Sequence, residues 1–171
     1  MGEKIQGPRK KVMVAIDESE HSYYALMWVL NNLKELITTA PLVIFAALPT
    51  PTFNYPHAVP LGFSRLYCPV STNMMTGPEM STSVQVQYKI LLGILEKAKT
   101  ICSSRGVNAE TITEIGDPKE VICKAVQEHS INLLVMGNHT DGVLKRVFSG
   151  SMSNYCLNHA NCAVLTVKKP E

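Results

Sequence analysis

The sequence lacks the features that mark several large classes of protein. Its 16 basic and 14 acidic residues leave a formal charge of only +2, so charge gives no reason to expect binding to nucleic acid or to an anionic membrane. No apolar run is long enough to span a bilayer, and the first eleven residues lack the apolar core of a signal peptide. We therefore expect a cytoplasmic protein with neither a nucleic-acid nor a membrane partner.

Paired cysteines and metal-ligand spacings are also missing. The five cysteines (Cys68, Cys102, Cys123, Cys156 and Cys162) are dispersed and odd in number, with no Cys-x-x-Cys pair. That usage indicates free thiols in a reducing compartment, and two of them, Cys102 and Cys123, fall on predicted helix faces as small core residues. The five histidines show no ligand spacing, so we predict no metal site built by the protein.

What the sequence does contain is enough apolar material for a core. With 171 residues and 46% hydrophobic content, we expect a flexible N-terminus over 1–10 and a single domain over 11–171. A long insertion at about 49–80 interrupts that domain and holds six of the ten prolines without any helical or strand period. A loop of this length is typically functional or disordered. We interpret it as a mobile insertion, and the alternative is a cover for a site or partner surface.

Short apolar runs alternate with amphipathic stretches along the chain. Continuous apolar runs predict parallel strands covered on both faces, here over 11–16, 42–48, 131–136 and 162–167, with a less buried edge strand over 107–115. The helices are predicted from Ser19 or Ser22 onward and over 81–105, 117–130 and 151–159. Five strands alternating with four helices predict an α/β fold, an open parallel five-stranded sheet with helices on both faces. The common strand order for such a sheet is 3-2-1-4-5.

Two of the helical stretches carry a recognisable buried face. In the first, Leu26, Leu30, Leu33 and Ile37 recur at spacings of four, three and four, which predicts one continuous stripe. In the 81–105 helix, the predicted inward face is Val84, Tyr88, Leu91, Leu95, Ala98 and Cys102. The 117–130 helix has Asp117 at its N-cap and Pro118 at its first position, which is a strong helix start.

The stretch from Ile131 to Ser153 carries the chemistry. An apolar strand ends at Gly137, and thirteen positions later Gly150 precedes a Ser-Met-Ser helix start. Glycines allow close approach of the backbone to a ligand, and helix N-termini attract anions, so we interpret the stretch as a phosphate cradle. In the predicted sheet, Asp17 at the end of strand 1 faces the same crevice. Its carboxylate suits ribose hydroxyls, and the alternative is a turn or N-cap acid.

These residues resemble the universal stress protein family, and its plant-type members in particular. The resemblance covers Lys11 to Lys168 and rests on Val-Met-Val-Ala-Ile-Asp17-Glu-Ser19, on Gly116-Asp117-Pro118-Lys-Glu-Val-Ile and on the block Gly137 to Val167. The nucleotide-binding pattern of the family is Gly, two residues, Gly, nine residues, Gly and then Ser or Thr. Gly137, Gly150 and Ser151 fall on that spacing, whereas Thr140 replaces the second glycine.

The resemblance implies a Rossmann-like fold of the adenine nucleotide alpha hydrolase type, with ATP or AMP as ligand, with or without Mg²⁺. Asp17 and Gly137 would hold the ribose, and the backbone of Ala47 would meet the adenine. The residues implied to line the adenine pocket or surround the phosphates are Ala15, Met136, Asn138, His139, Thr140, Gly150, Ser151, Met152 and Ser153. The family further implies a homodimer that pairs the last strands, Val164 to Val167.

Thr140 separates the functional hypotheses. A β-branched residue is unfavourable by about 1–3 kcal/mol if that position needs a positive φ, although its hydroxyl can also donate to a phosphate. We favour retained nucleotide binding by a dimeric regulatory module of the stress response, weakened or limited to AMP or ADP. The alternatives are a dimeric stress protein that binds protein partners instead of a nucleotide and, less favoured, a slow ATPase. No catalytic residue is predicted.

Overall fold

The computed structural model describes residues 9–49, 82–138 and 151–170. In these ranges five strands and five helices alternate along the chain, except that the first two helices follow each other directly. The elements are β1 (Val12–Ala15), α1 (Glu20–Asn32), α2 (Lys34–Thr39), β2 (Leu42–Leu48), α3 (Thr82–Ser104), β3 (Ala109–Ile115), α4 (Pro118–Glu128), β4 (Leu133–Asn138), α5 (Ser151–His159) and β5 (Ala163–Lys168).

The five strands form one parallel sheet in the order β3-β2-β1-β4-β5, which confirms the predicted fold class and strand order. β1 is the central strand, and its last residue fixes the register on both sides. Ala15 pairs with Phe45 of β2 and with Met136 of β4. A parallel connection needs a crossover through a helix. From β1, the chain adds β2 and β3 on one side and β4 and β5 on the other, so the direction in which strands are added reverses between β1 and β4.

Helices cover both faces of the sheet, and alternate residues of each strand therefore enter two different cores. On the first face, Val12 and Val14 of β1 pack with residues of α1, α2 and α3. On the second face, Met13 and Ala15 pack with residues of α4 and α5. We call these the α1–α3 face and the α4–α5 face. Their burial on both sides explains the continuous apolar runs of the central strands.

Two predicted details of the helices are wrong. The first helical stretch breaks at Leu33, where φ is −111° and ψ is 25°, so that α1 and α2 replace the single predicted helix. The break keeps its backbone hydrogen bonds, because the Leu33 N–H donates to Val29 O at 2.9 Å and Leu33 O accepts from the Ile37 N–H at 3.1 Å. In α3, Tyr88 is 41% exposed, while Ile90 and Ile94 are buried in its place.

The predicted start of α4, the end of α3 and the edge position of β3 are confirmed. The Asp117 carboxylate caps α4 by accepting a hydrogen bond from the Lys119 N–H at 3.0 Å, and α3 stops before Gly106, whose φ is +71°. β3 lies at the edge of the sheet, with Glu110 and Thr111 exposed. None of the described helices is long and apolar enough to cross a membrane. The predicted N-terminus and insertion fall almost entirely outside the described residues.

Candidate functional site

The strand order reverses between β1 and β4, which is the point where open α/β sheets have their ligand crevice. β1 and β4 are neighbours that lead into connections on opposite sides of the sheet, and their carboxyl ends lie side by side through the pairing of Ala15 with Met136. In open α/β sheets, the gap beyond such strand ends is where ligands bind. The predicted site residues that the structure describes lie at this edge or at the start of α5.

Three of the predicted residues share one face of the sheet at this edge. Ala15 of β1, Ala47 of β2 and Met136 of β4 all pack in the core of the α4–α5 face. Their strands are adjacent in the order β2-β1-β4. Ala15 and Ala47 are half-buried, whereas Met136 is buried. Two small side chains beside a methionine therefore make this face of the sheet apolar at the carboxyl ends of three neighbouring strands.

The turn after β1 is built on Asp17. Its carboxylate oxygen Oδ1 accepts hydrogen bonds from the backbone N–H of Ser19, at 2.9 Å, and from the Ser19 hydroxyl. The Ser19 hydroxyl oxygen in turn accepts the Ser22 N–H at 3.2 Å and so caps α1. Asp17 is therefore the acid that orders the turn, and Ser19 is the N-cap. The alternative interpretation of Asp17 as a turn acid is therefore correct for its hydrogen bonds within the chain. Asp17 is nevertheless exposed at the edge of the crevice.

Ser22 stabilises the same turn through its buried hydroxyl. Its hydroxyl is the centre of a local hydrogen-bond network and only 3% of the residue is exposed. The hydroxyl oxygen accepts the Asp17 N–H at 3.1 Å, and its hydrogen is shared between the carbonyl oxygens of Asp17 at 2.9 Å and Ser19 at 3.0 Å. Sequence reasoning named Ser22 only as a possible cap. A serine in the first turn of the helix, on the face that is otherwise apolar, is the signal that could have indicated this buried role.

Gly137 lies against the first turn of α1. A Cβ at this position would be 2.5 Å from both the carbonyl carbon and the oxygen of His21 and 2.8 Å from the Ser22 nitrogen. Real Cβ atoms do not approach backbone so closely, so only glycine allows α1 to pack this tightly on β4. The glycine predicted to approach a ribose therefore also sets the distance between the two elements that border the crevice.

The residues predicted around the phosphates are described only in part. Asn138 is the last residue of β4 and Ser151 the first of α5, while Met152 and Ser153 are half-buried in the first turn of that helix. No acidic residue occupies the first turn of α5, so its positive dipole end is not neutralised there. His139, Thr140 and Gly150 lie outside the described residues, and their predicted roles stay predictions.

A second carboxyl group stands beside Asp17. Glu18 is at the surface, yet the surrounding chain removes part of its hydration, and this desolvation together with the negative charge of Asp17 raises the pKa of Glu18. The two acids make the rim at the end of β1 negative. A ligand that donates hydroxyl hydrogens suits such a rim, whereas a phosphate suits the opposite side, where α5 begins.

Within the described ranges, one group of side chains has metal-ligand chemistry, and it lies elsewhere. Glu114, Glu128 and His129 bring their ligand atoms within 4.8 Å of one another. The Lys124 ammonium already contacts both carboxylates, Glu114 Oε2 and Glu128 Oε1, at 3.4 Å each. Because β3 is separated from β1 by β2, this ion-pair cluster is not part of the crevice.

The strand order and the crevice define the class of doubly wound parallel α/β proteins. The sequence model of the universal stress protein family matches residues 8–168, and this chain belongs to that family. The universal stress protein A-like protein of Arabidopsis thaliana is 38% identical over 78 residues, which are 46% of this chain and 45% of that protein. PHOS34, another universal stress protein of Arabidopsis thaliana, is 25% identical over an alignment covering 96% of this chain and 64% of PHOS34. The chain spans about half the length of the first curated relatives that it matches.

Solved structures share the fold. A universal stress protein family protein from Arabidopsis thaliana with AMP bound matches with a TM-score of 0.62 and 24% identity, covering 94% of this chain and 92% of that one. A universal stress protein in complex with cAMP matches with a TM-score of 0.60 and 19% identity, covering 92% and 96%. At these identities the likeness concerns the fold.

The packing of α1 on β4 gives a first prediction. Gly137→Ala places a methyl group into the backbone of His21, so α1 must move, and we expect the free energy of unfolding to fall by about 1–3 kcal/mol. The measurement is urea unfolding followed by circular dichroism. Gly106→Asn is the control, because asparagine tolerates the left-handed backbone and no atom lies within 4 Å of that Cβ position. A Gly137→Ala protein as stable as the wild type would contradict the packing argument.

The acidic rim gives a second prediction. Carbon-detected NMR titration of Glu18 should give a pKa above the ordinary 4.5, and Asp17→Asn should lower that pKa only in part, because desolvation is the larger cause. Since the folded state binds this proton more tightly than the unfolded state, ionised Glu18 opposes folding above its folded pKa. The effect vanishes as the pH falls below 4.5. A Glu18 pKa at or below 4.5 in the wild type would refute this account of the rim.

Proposed function

We propose that this chain binds an adenine nucleotide, ATP or AMP, across the carboxyl ends of β1 and β4. The observation that carries the proposal is the convergence of Ala15, Ala47 and Met136 on one face of the sheet, beside the point where the strand order reverses. Ligands of open α/β sheets bind at that point. The AMP-bound and cAMP-bound structures of similar fold support the choice of an adenine nucleotide.

In this proposal the nucleoside lies at the apolar carboxyl ends of β1, β2 and β4. The adenine packs against Ala15 and Met136 and meets the backbone of Ala47, while the ribose lies between Asp17 and Gly137. The support is chemical: the small alanines leave room for a flat ring, and the exposed Asp17 carboxylate at the rim can accept hydrogen bonds from ribose hydroxyls.

The phosphates would extend toward the start of α5. Asn138 ends β4 on one side, and the helix begins on the other with Ser151, Met152 and Ser153. A helix start without acidic residues attracts anions through its free N–H groups and its dipole. His139, Thr140 and Gly150, on the connecting stretch, would complete the phosphate site, with Mg²⁺ as an accompanying ion for ATP.

We further propose that the protein acts as a homodimeric, cytoplasmic regulatory module of the stress response, without nucleic-acid or membrane partners. β5 pairs with β4 along one edge, and none of the described strands pairs with its other edge. Val164, Leu165 and Thr166 are only half-buried there. An edge strand with unpaired backbone groups pairs readily with another chain, and pairing of Val164 to Val167 across a two-fold axis would cover it.

One feature of the sequence favours a second candidate. Thr140 stands where the nucleotide-binding pattern of the family has glycine, so the alternative is a dimer that has lost the nucleotide and binds protein partners. A slow ATPase is the less favoured third reading, because phosphoryl transfer needs metal ligands and a group that positions the nucleophile. The binding experiment below separates the first two.

Isothermal titration calorimetry with AMP, ATP–Mg²⁺ and GTP tests the nucleotide site, after any co-purified nucleotide has been removed. We expect adenine nucleotides to bind, Gly150→Val to abolish binding and Thr140→Gly to maintain or strengthen it. Asp17→Asn should weaken affinity roughly tenfold to hundredfold, because a charged acceptor for the ribose is lost.

The matched control for the acid is Asp117→Asn. Asp117 also follows a strand and also accepts the N–H of the second residue after it, at 3.0 Å against 2.9 Å for Asp17. Both substitutions keep an acceptor oxygen for that bond, but only Asp17 borders the crevice. Equal effects of the two substitutions would contradict the ribose role. Binding by Thr140→Gly alone, with none by the wild type, would select the partner-binding alternative.

The dimer is tested by light scattering coupled to size exclusion. Leu165→Glu places a charge on the β5 edge strand, and we expect it to convert a dimeric wild type into a monomer. Leu92→Glu is the control, because Leu92 is an exposed leucine on α3, a helix that packs on β2 and β3, towards the edge of the sheet opposite β5. Circular dichroism verifies that both variants are folded. A monomeric wild type, or a dimer that survives Leu165→Glu, would contradict the proposed interface.

A further inference from the structure

Three of the four described cysteines converge on one side of the molecule. Cys123 of α4, Cys156 of α5 and Cys162, which directly precedes β5, all belong to the core of the α4–α5 face. Cys102 is buried in the other core, across the sheet. Their positions in the sequence, dispersed and unpaired, gave no sign of this, because the fold alone brings the three elements together.

Within this cluster, Cys123 and Cys156 lie on two helices that are packed against each other. Both thiols belong to the same core, and each thiol influences the pKa of the other. Cys156 is fully buried, whereas Cys123 is half-buried and so reachable from solvent. Burial, followed by the proximity of Cys123, raises the pKa of Cys156 to about 12. The pair thus has one accessible sulfur and one enclosed sulfur.

We propose that Cys123 and Cys156 form a dithiol modification site, which a small-molecule disulfide such as oxidised glutathione converts into a disulfide bond between α4 and α5. The observation behind the proposal is that the two thiols lie in one core, on two helices packed against each other. A disulfide bond would bring the two sulfurs to a separation of about 2.05 Å. This inference does not depend on the proposed nucleotide site.

The chemistry balances in two exchange steps. Cys123 loses its proton to solvent, and its thiolate attacks one sulfur of oxidised glutathione; the other glutathione leaves as a thiolate, and a mixed disulfide remains on Cys123. Cys156 then loses its proton and attacks the Cys123 sulfur, and the second glutathione leaves. The protein dithiol is oxidised by two electrons, and one glutathione disulfide is reduced to two glutathione thiols, which take up the two protons.

The order of attack follows from burial. Cys123 is the first nucleophile because a bulky disulfide reaches a half-buried sulfur and not the enclosed Cys156. Desolvation raises the pKa of Cys123 as well, so its thiolate fraction at neutral pH is small and the first step is slow. Cys162 is a weaker partner, because its thiol donates a hydrogen bond to the Ala163 carbonyl at 3.2 Å.

The bond would tie down the helix that begins at Ser151. Cys123 and Cys156 are 33 positions apart, and the closed segment contains β4 and the connection from it to α5. Cross-linking a segment of this length restricts the unfolded chain, so we expect the melting temperature of the oxidised protein to exceed that of the reduced protein by roughly 5–10 °C.

The test uses the full chain with Cys68→Ser, which removes the cysteine outside the described residues. The folded protein is incubated with oxidised glutathione at pH 8, free thiols are alkylated, and the product is analysed by intact-mass and peptide-mapping spectrometry. We expect the loss of two hydrogens, mapped to a Cys123–Cys156 bond, and the rise in melting temperature given above. Cys156→Ala should stop the reaction at the mixed disulfide on Cys123, and Cys123→Ser should leave Cys156 unmodified.

Cys162→Ser is the matched control, because it removes a thiol of the same cluster and should leave the bond intact. The proposal is overturned if the folded protein acquires no internal disulfide, if the bond maps to Cys162 or Cys102, or if oxidation lowers the melting temperature. The outcome with the parent protein decides the question even where a cysteine variant fails to fold.

Discussion

The contact between the first turn of α1 and β4 sets the geometry on which the candidate site depends. Gly137 carries no side chain, so the backbone of His21 and Ser22 lies where a Cβ would otherwise be. Ser22 stabilises the same turn through hydrogen bonds between its hydroxyl and the backbone of Asp17 and Ser19. The end of β1, the end of β4 and the start of α1 are thereby fixed relative to one another. These three segments border the crevice beyond the strand ends, so their packing limits its shape.

The cores on the two faces of the sheet differ in their residue types. The α1–α3 face buries a large aliphatic core, with Leu26, Ile37 and Ile44 fully enclosed. The α4–α5 face contains small alanines at the carboxyl edge and sulfur-containing side chains under α5. The first face is suited to stability. The second face has Ala15, Ala47 and Met136 at the edge and the thiols behind the helix that borders it, so the proposed adenine site and the proposed dithiol site lie on the same face of the sheet.

Sequence reasoning predicted the architecture well because its signals are local. Continuous apolar runs identify central parallel strands, and a cap such as Asp117 followed by Pro118 identifies a helix start. The break at Leu33 was missed because the apolar stripe of α1 continues in phase into α2, and nothing in the residue types marks the change of direction. The exposure of Tyr88 was missed because period alone does not say how far a helix extends beyond the sheet.

The candidate site was predicted less completely, because its contacts join residues that are far apart in the sequence. Asp17 and Gly137 were identified from their positions at strand ends, since strand order alone brings those ends together. The close approach of Gly137 to α1, the buried hydroxyl of Ser22 and the convergence of Cys123 and Cys156 in one core depend on tertiary packing. Such contacts join residues far apart along the chain or depend on the angle between elements, and periodicity carries neither kind of information.

The proposed adenine-nucleotide site lies at the carboxyl ends of β1, β2 and β4. Its most direct test is a titration of isotope-labelled protein with AMP, followed through the backbone amide resonances. The account predicts that the largest shifts cluster at Ala15, Ala47 and Gly137 and at the start of α5, with the edge strand β3 unaffected. Unchanged spectra at saturating nucleotide, or shifts centred on β3 and the Glu114 cluster, would contradict it.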